Sequence, residues 1–342
     1  MNQSQRLYYR PIAMTDPARP ERALDLAGGW CWFDRVEVLS RSGSQGLMAA
    51  AHLPGYLRDR LSAPRPAFFG LPQDRPLIMG ILNVTPDSFS DGGRFAAPEM
   101  ALIHARAMAA AGADILDIGG ESTRPGAGDV TDAQEIARTA PIISGLRETG
   151  FGLPISIDTR KSAVAVAALT AGADMVNDVS AFAYDPDLAA VVRARDVPVC
   201  LMHAQGTPAT MQLDPRYDDV LLDIYDFLAA RIDAAEAAGI ARGRVIVDPG
   251  IGFGKTVAHN LALVRGLSLF HGLGCRIMLG ASRKRFIGTL TGTEAADRRG
   301  PGSLAITLAG ASQGVQLHRV HDTPETDQAL RLWRAVNCGG TT

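Results

Sequence analysis

The stretch AAGADILDIGG, residues 110–120, contains the transitions that decide the fold. Gly112 follows an alanine-rich segment, at the kind of position where a helix commonly ends in a left-handed residue. The next run, DILDIG, is short and almost continuously apolar, as strands of a parallel sheet are when both faces are buried. Two glycines then mark a loop. The stretch therefore predicts the end of a helix, a buried strand and a loop, which together make one repeat of an α/β fold.

The same order recurs from Pro76 onward, with helical periodicity between the apolar runs. Eight strand–helix units in succession favour a (β/α)8 TIM barrel over an open, doubly wound sheet. The eight predicted strands are PLIMGIL (76–82), DILDIG (114–119), PISID (154–158), DMVNDV (174–179), VPVCLMH (197–203), RVIVDPG (244–250), CRIMLGAS (275–282) and GVQLHRV (314–320).

The first seventy-five residues do not share this pattern. Residues 28–43 predict one strand, with an edge position as one option, and residues 54–61 predict a short helix. Residues 62–76 are rich in proline and predict a linker. We therefore expect a small α+β appendage and linker over 1–75 and the barrel over 76–338. Two of the three tryptophans lie in the appendage, where packing is a better explanation than ligand binding.

Composition excludes several classes of protein. Of the 342 residues, 46% are hydrophobic and 20% are charged, so a sizeable core can form. The net charge of −2 argues against nucleic acid and membrane surfaces as partners. The four cysteines form no C-x-x-C pair, which argues against zinc and disulfides and suggests buried thiols in a reducing compartment. Without an apolar leader or a membrane-spanning segment, we expect a soluble, cytoplasmic protein.

Polar residues stand at the ends of nearly all predicted strands, where the active sites of such barrels lie. The alternation of side chains along a strand puts Arg319 and His321 on one face and His318 on the other. For His203 alone, a structural role is as good an explanation as a functional one. The full set indicates a site: Asn83, Asp158, Asn177, His203, Asp248, Lys284, Arg319 and His321.

The residue types suggest what this site binds. Carboxylates at Asp158 and Asp248, with the amide of Asn177, suit a flat heterocycle that presents several N–H donors. Lys284 could reach a carbonyl or a ring nitrogen of that heterocycle. No cysteine at a strand end and no Ser–His–Asp arrangement supports a covalent nucleophile.

The last strand suggests a second group. Arg319 and His321 suit a phosphate or pyrophosphate, and the amide oxygen of Asn83 is available to Mg²⁺. From the residues alone, the prediction is a barrel enzyme for a nitrogenous heterocycle with a phosphate group.

Two other patterns are misleading. GIGFGKT, residues 250–256, looks like a phosphate-binding loop, but Pro249 stands where that motif requires glycine. We interpret it as a loop after a strand, with Lys255 close to the start of the next helix. Asp117 and Glu121 could suggest a metal cage, but their spacing does not support one.

Longer motifs then show a family resemblance. The chain resembles dihydropteroate synthases from about Pro76 to Val336. The motifs are MGILNVTPDSFSDGG, DIGGESTRPGA, SIDT, NDV, LMHAQGTPATMQ, DPGIGFGK, GASRK and RVHD, in that order. The resemblance implies a (β/α)8 barrel that joins 6-hydroxymethyl-7,8-dihydropterin pyrophosphate to para-aminobenzoate in folate biosynthesis and releases pyrophosphate. It also implies Mg²⁺, sulfonamides as inhibitors and a homodimer.

The resemblance assigns roles residue by residue. Lys284, Arg319 and His321 would be catalytic, and Asn83 would contact Mg²⁺. The pterin would be bound by Asp158, Asn177, Asp248 and Lys284. The β-phosphate end would be bound by Arg319 and His321. Thr123 would help to enclose the substrates, and the aminobenzoate would be surrounded by Pro125, Phe89 and Phe253.

The chain departs from the family pattern at two positions, and two alternatives stay open. Ile251 stands where an aromatic residue is common. Arg285 follows SRK where many relatives have serine, so a hydroxyl contact to the aminobenzoate carboxylate is not carried over. The alternatives are a pterin-dependent methyltransferase and a non-catalytic pterin-binding paralogue. The first would not need the strand-eight phosphate pair or the STRPG loop, and the second would be expected to lose such residues.

Overall fold

The computed structural model describes residues 6–84, 93–121, 130–206 and 210–338, with only the backbone for 93–98. The strands in this part of the chain are β1 (Tyr8–Pro11), β2 (Leu24–Asp25), β3 (Trp32–Phe33), β4 (Arg35–Ser40), β5 (Gly43–Ala49), β6 (Leu77–Asn83), β7 (Ile115–Gly119), β8 (Ile155–Asp158), β9 (Met175–Asp178), β10 (Val199–Met202), β11 (Val245–Asp248), β12 (Arg276–Leu279) and β13 (Leu317–Val320). The helices are α1 (Gly55–Ser62), α2 (Gly93–Ala110), α3 (Asp132–Glu148), α4 (Ser162–Ala171), α5 (Asp187–Arg195), α6 (Val220–Ala237), α7 (Val257–Arg265), α8 (Arg285–Thr291), α9 (Gly300–Ala311) and α10 (Thr323–Asn337).

Strands β6 to β13 form a closed parallel barrel in sequential order, with β13 pairing back to β6. Each coincides with one of the eight predicted apolar runs, with β6 extending one residue further to Asn83, so the predicted (β/α)8 architecture is confirmed. The turns between helices and strands also follow the sequence. Gly112, between α2 and β7, has a φ of 94°, and Gly172, which caps α4, has a φ of 112°. Both angles are left-handed, which glycine adopts without steric cost.

Alternation along the strands divides the core into two parts. Side chains such as Ile118 and Val247 pack outward against the helices. The inward side chains of the lower barrel are apolar and fully buried, and they include Met79, Ile115 and Met278. Two residues further along, several strands carry polar groups at their inward positions, among them Asp117, Asn177, Asp248 and Arg319. The polar site thus rests on an apolar floor inside the same barrel.

The appendage is built differently from its prediction. The expectation of one strand over 28–43 was wrong, because this segment contains both β3 and β4. Strand β4 is not at an edge either: it is the middle strand of an antiparallel sheet, between β1 and β5. Strand β5 is not predicted by the sequence, because its residues are mostly exposed and lack an apolar alternation. The short helix was predicted correctly and is α1.

The linker closes the amino-terminal end of the barrel. Phe68 is 4% exposed and packs with the lower interior residues Met79 and Leu317. The guanidinium of Arg276 lies over the Phe68 ring, 4.8 Å from its centroid. The linker is therefore part of the packing of the barrel.

Trp30 of the appendage also contacts the barrel. It donates its indole N–H to the carbonyl of Ala311 at 2.8 Å, which agrees with a packing role.

The cysteines agree with the expectation of buried free thiols. Cys31, Cys200 and Cys275 are buried free thiols, and Cys338 is half-buried. Among the residues described, no helix combines the length and the apolar character needed to cross a membrane.

Candidate functional site

A cleft of about 1110 Å³ opens at the carboxyl ends of the barrel strands. Its lining includes six of the predicted site residues: Asn83, Asp158, Phe253, Lys284, Arg319 and His321. Asn177 and Asp248 are 2% and 3% exposed and lie beneath them. The structure thus brings these eight residues to one end of the barrel. Three others, Phe89, Thr123 and Pro125, lie outside the described residues.

Arg319 connects two carboxylates at the base of the cleft. Its Nε donates to Asp117 Oδ2 at 2.5 Å, and its second terminal nitrogen donates to Asp158 Oδ2 at 2.7 Å. All three side chains are largely buried, with Asp117 fully so. Burial lowers the pKa of the guanidinium, but the charges of Asp117 and Asp158 outweigh it and hold the Arg319 pKa above its usual value. The single guanidinium of Arg319 therefore contacts two carboxylates, and their combined negative charge exceeds its positive charge.

That excess is reflected in Asp158. Burial raises the pKa of this carboxyl to about 7; Arg319 opposes the rise, and the charge of Asp117 adds to it. A carboxyl group whose pKa lies near 7 is partly protonated at neutral pH, so it can either accept or donate a hydrogen bond. Asp158 is therefore suited to a ligand edge that carries ring nitrogens.

Asn177 and Asp117 present hydrogen-bond acceptors without partners beside Asp158. The amide Nδ2 of Asn177 donates to Asp117 Oδ2 at 3.1 Å. The Oδ1 atoms of both residues are buried and have no hydrogen-bond partner among the described residues. Buried polar atoms are nearly always satisfied, so these two oxygens indicate a ligand that donates N–H groups.

The sequence suggests Asp117 only as a metal ligand, so its place at the base of the cleft is a finding of the structure. The available signal was its place in an apolar strand, on the same inward face as Ile115 and Gly119. A carboxylate at such a position needs a partner inside the barrel.

Asp248 is held by the loop that follows it. Its Oδ1 accepts the backbone N–H of Gly250 at 2.7 Å. Burial raises the pKa of Asp248, while this bond and the charge of Lys284 oppose the rise. Its Oδ2 is 3.3 Å from where a Cβ on Gly280 would stand, and Arg319 is 4.0 Å from the same point. The bare glycine thus keeps a space open between the carboxylate and the guanidinium.

Lys284 and Phe253 form one wall. Lys284 precedes α8 as its N-cap residue, and its Nζ lies over the Phe253 ring, 3.9 Å from the centroid. An ammonium at this distance is attracted by the face of the ring. The ring therefore helps to keep the lysine beside Asp248.

His321 follows β13, the strand that pairs with β12. Its Nδ1 is 3.0 Å from Ser282 Oγ, and its backbone N–H donates to the same oxygen at 3.2 Å. Ser282 therefore fixes both the ring and its backbone. As predicted, His318 points the other way: it is fully buried, and its Nε2 lies 3.1 Å from the carbonyl of Val315.

Asn83 faces the space over Gly119. Its Oδ1 is 3.8 Å, and Asp158 Oδ2 is 3.6 Å, from where a Cβ on Gly119 would stand. The described residues contain no group of three or more His, Cys, Asp or Glu side chains arranged to hold a metal. One amide and one carboxylate suit a Mg²⁺ ion that keeps most of its waters and arrives with a phosphate. They do not make a complete protein cage.

A buried lysine–histidine pair lies behind the wall. Lys255 is 3% exposed, and its Nζ donates to Phe253 O at 2.9 Å and lies 3.0 Å from His203 Nδ1. Burial, followed by the charge of Lys255, lowers the pKa of His203 to about 3, so its ring is neutral near pH 7. These contacts favour a structural role for His203. The sequence places Lys255 near the start of a helix and indicates no partner for it.

The glycines before Lys255 explain the misleading motif. Gly250, Gly252 and Gly254 have φ values of 68°, 83° and 61°. All three angles are left-handed, so the glycines provide a tightly wound loop against β10. Their spacing follows from this geometry, which supports the rejection of a phosphate-binding loop.

A second buried cation lies at the rim. Lys161 is 4% exposed, and its Nζ contacts Glu135 at 2.8 Å, Glu121 at 3.2 Å and the carbonyl of Val130 at 2.6 Å. Burial raises the pKa of Glu121, but the contacts with Arg160 and Lys161 outweigh it and hold that pKa below its usual value. Glu121 is therefore engaged in ion pairs, in agreement with the rejection of a metal cage.

The two departures from the family pattern lie in different surroundings. Ile251 is fully buried in the main core. Arg285 is exposed and lines the cleft mouth, beside the N-cap Lys284. Its guanidinium is thus placed where an incoming anion would pass.

Comparison with known proteins relates this chain to one family. The family model for pterin binding enzymes matches residues 79–321. The chain is 45% identical over 271 residues to the dihydropteroate synthase of Neisseria meningitidis serogroup C, covering 78% of this chain and 95% of the relative.

Solved structures give the same result. The dihydropteroate synthase of Xanthomonas albilineans in complex with 7,8-dihydropteroate is 45% identical, with a TM-score of 0.71 over 78% of this chain and 95% of the other. The Yersinia pestis enzyme with a sulfonamide drug complex is 43% identical, with a TM-score of 0.74 over 80% of this chain and 98% of the other.

Proposed function

This chain belongs to the pterin-binding enzymes and, among them, to the dihydropteroate synthases, and we propose that the cleft described above carries out their reaction. The reaction joins 6-hydroxymethyl-7,8-dihydropterin pyrophosphate to para-aminobenzoate and gives 7,8-dihydropteroate and pyrophosphate. The observation that supports this best is the set of buried acceptor oxygens beneath the cleft. These oxygens match the N–H groups along one edge of a pterin.

The pterin would lie in the space that Gly280 leaves open. Asp248 and the unused Oδ1 of Asn177 would accept its N–H groups, and Asp158 would pair with a ring nitrogen. Lys284 would donate to the pterin carbonyl or to a ring nitrogen from its place over Phe253. Fixed donors and acceptors of this kind orient the methylene toward the second substrate.

The leaving group would be met by the last strand. Ser282 orients His321, which would donate an N–H to the pyrophosphate as the carbon–oxygen bond breaks. Arg319 would offer positive charge to the same group from its position between Asp117 and Asp158. Asn83 would hold a Mg²⁺ that arrives with the pyrophosphate, and this ion would supply charge neutralisation.

The aminobenzoate would enter beside Phe253, with Phe89, Thr123 and Pro125 as further proposed contacts. Its aromatic amine is a neutral nucleophile near pH 7, so it attacks the methylene without a strong base. The proton leaves the new nitrogen after the bond forms. This matches a cleft in which His203 is buried, neutral and bonded to Lys255.

Three broader statements also remain proposals. A homodimer and a cytoplasmic location rest on the family resemblance and on composition. Sedimentation of the purified protein would test the first, and cell fractionation the second. The division into 1–75 and 76–338 is supported by the antiparallel sheet of the first part and the parallel barrel of the second.

The reaction is tested by following pyrophosphate release from the purified full-length chain with dihydropterin pyrophosphate, para-aminobenzoate and Mg²⁺. We expect release that depends on aminobenzoate, together with formation of dihydropteroate. Pterin binding without turnover would indicate a non-catalytic protein and would contradict the proposal.

The role of His321 gives a sharper test. We expect His321→Ala to lower kcat by roughly 10²-fold, as loss of a transition-state donor does. Binding of a pterin without phosphates should change little. His104→Ala, on exposed α2, is the matched control. Equal losses of affinity for pterin and pterin pyrophosphate would place His321 in the pterin subsite instead.

A further inference from the structure

Two arginines are buried at the amino-terminal end of the barrel, opposite the cleft. Arg65 in the linker is 6% exposed, and Arg276 at the start of β12 is 5% exposed. The contacts of both are with neutral groups. Arg65 donates to the carbonyls of Arg60 and His271 at 2.9 and 3.0 Å. Arg276 donates to the carbonyl of Pro66 and lies over the Phe68 ring.

This is an unusual arrangement of charge. Within the described ranges, neither guanidinium forms an ion pair with a carboxylate, although most buried cations are paired. Arg75 nearby is different, because it contacts both oxygens of Asp114 at 2.9 and 2.5 Å. Burial without a counter-charge is costly, so a missing anion would account for both arginines.

A buried hydrogen-bond donor without a partner also indicates a missing anion. The Nε of Arg65 is buried and has no hydrogen-bond partner among the described residues. Gln316 uses its Oε1 to accept the backbone N–H of Ile277 at 2.9 Å, so its amide NH₂ is its remaining polar group. Both residues line the same small cavity.

The cavity limits the size of the ligand. It has a volume of about 10 Å³, and its polar lining comes from Arg65, Arg75, Arg276, Gln73 and Gln316. A space of this order has room for a single atom or ion. A tetrahedral oxyanion such as phosphate or sulfate is too large. A water molecule would fit but would leave both positive charges uncompensated.

We propose that this cavity binds one monoatomic anion of the size of chloride between Arg65 and Arg276, which fastens the linker to the barrel. The pKa values agree: burial lowers the pKa of each guanidinium to about 10, and Arg65 lowers that of Arg276 further. Arg65 lies outside the matched residues 79–321, and the cavity is remote from the cleft. The proposal is therefore independent of the reaction.

The test is thermal unfolding of the full-length chain at constant ionic strength, with sodium gluconate replaced stepwise by sodium chloride. We expect the midpoint to rise saturably, by roughly 2–4 °C once chloride is several-fold above its dissociation constant. Arg65→Met and Arg276→Met should lose this rise. Arg58→Met, on the exposed side of α1, should keep it.

Two further measurements keep the proposal testable if a variant fails to fold. Broadening of the ³⁵Cl resonance by the wild-type chain should disappear when bromide is added in excess. Crystals soaked in bromide should show an anomalous peak between the two guanidiniums. Equal midpoints in chloride and gluconate, or an equal rise with sulfate, would overturn the proposal.

Discussion

Folding shifts the pKa of Lys255 strongly, as it shifts the pKa values of His203 and Asp158. Burial lowers its pKa to about 7 from an ordinary value of 10.5, and the charge of Asp248 opposes this only in part. Its hydrogen bonds to Phe253 and contact with His203 connect the loop after β11 to the end of β10. Lys255 thus supports the wall of the cleft that carries Lys284.

This shift has a consequence for stability. Between pH 7 and 10.5 the unfolded chain binds a proton at Lys255 and the folded chain does not, so the unfolding free energy rises with pH across this window. Below pH 7 both states are protonated, and the full cost of burying the charge is present. We expect Lys255→Met to remove this slope. Urea unfolding of both proteins from pH 6 to 10 measures it, and a pH-independent difference between them would contradict the assigned pKa.

Asp248 gives a prediction about binding at the residue scale. Asp248→Asn removes charge-assisted hydrogen bonds worth about 1.5–3 kcal/mol, so pterin affinity should fall by roughly 10- to 150-fold. Calorimetric titration of a pterin measures this loss, and circular dichroism checks the fold. Asp233→Asn, whose side chain is 74% exposed, is the matched control. Unchanged pterin affinity in Asp248→Asn would remove this residue from the proposed site.

At the scale of elements, the loop after β11 depends on its close approach to β10. A Cβ on Gly250 would stand 1.8 Å from the carbonyl oxygen of His203. The same glycine donates its N–H to Asp248. Its lack of a side chain therefore decides both where the loop lies and how Asp248 is oriented.

Gly250→Ala should accordingly lower the free energy of unfolding by more than the strain of its left-handed backbone angle explains. An alanine in left-handed conformation costs roughly 1–2 kcal/mol, and the clash with His203 adds to that. Gly150→Ala is the matched control, because Gly150 has a φ of 75° and no atom within 4 Å of the added Cβ. Denaturant unfolding should show the larger loss for Gly250→Ala, accompanied by weaker pterin binding. Equal losses in the two variants would mean that the loop can shift.

At the scale of the whole molecule, the polar cleft and the linker close opposite ends of one barrel. Phe68 covers the amino-terminal end and packs on residues from several strands, while the cleft residues follow the carboxyl ends. An apolar interior separates the two. Stability contributed by the linker and chemistry at the cleft should therefore respond to different substitutions.

Phe68→Ala tests this separation. Removing a buried phenylalanine side chain should lower the unfolding free energy by about 3–5 kcal/mol, while kcat/KM of the folded protein stays close to the wild-type value. Tyr56→Ala, an aromatic residue that is 68% exposed in α1, serves as the control and should change neither quantity. A large loss of kcat/KM in folded Phe68→Ala would show that the two ends are coupled.

Local periodicity determined the barrel and the place of its site. Eight apolar runs separated by helical stretches predicted β6 to β13, and alternation along the last run predicted that Arg319 and His321 share one face while His318 points the other way. Both signals arise from neighbours along the chain, since strand period and burial are local properties. The appendage lacked such a signal, because the exposed residues of β5 do not alternate.

Only the tertiary structure decided which of these groups meet. Arg319 lies between Asp117 and Asp158, which are 202 and 161 residues away in the sequence. Lys255 meets His203 across 52 residues, and Phe68 closes a barrel whose strands begin after it. Such pairs depend on the closure of the barrel, which brings distant strands to a common axis. The periodicity of a single strand carries no information about which residues of distant strands come into contact. The sequence therefore predicted polar groups at one end of the barrel, and the packing of eight strands determined which of them are partners.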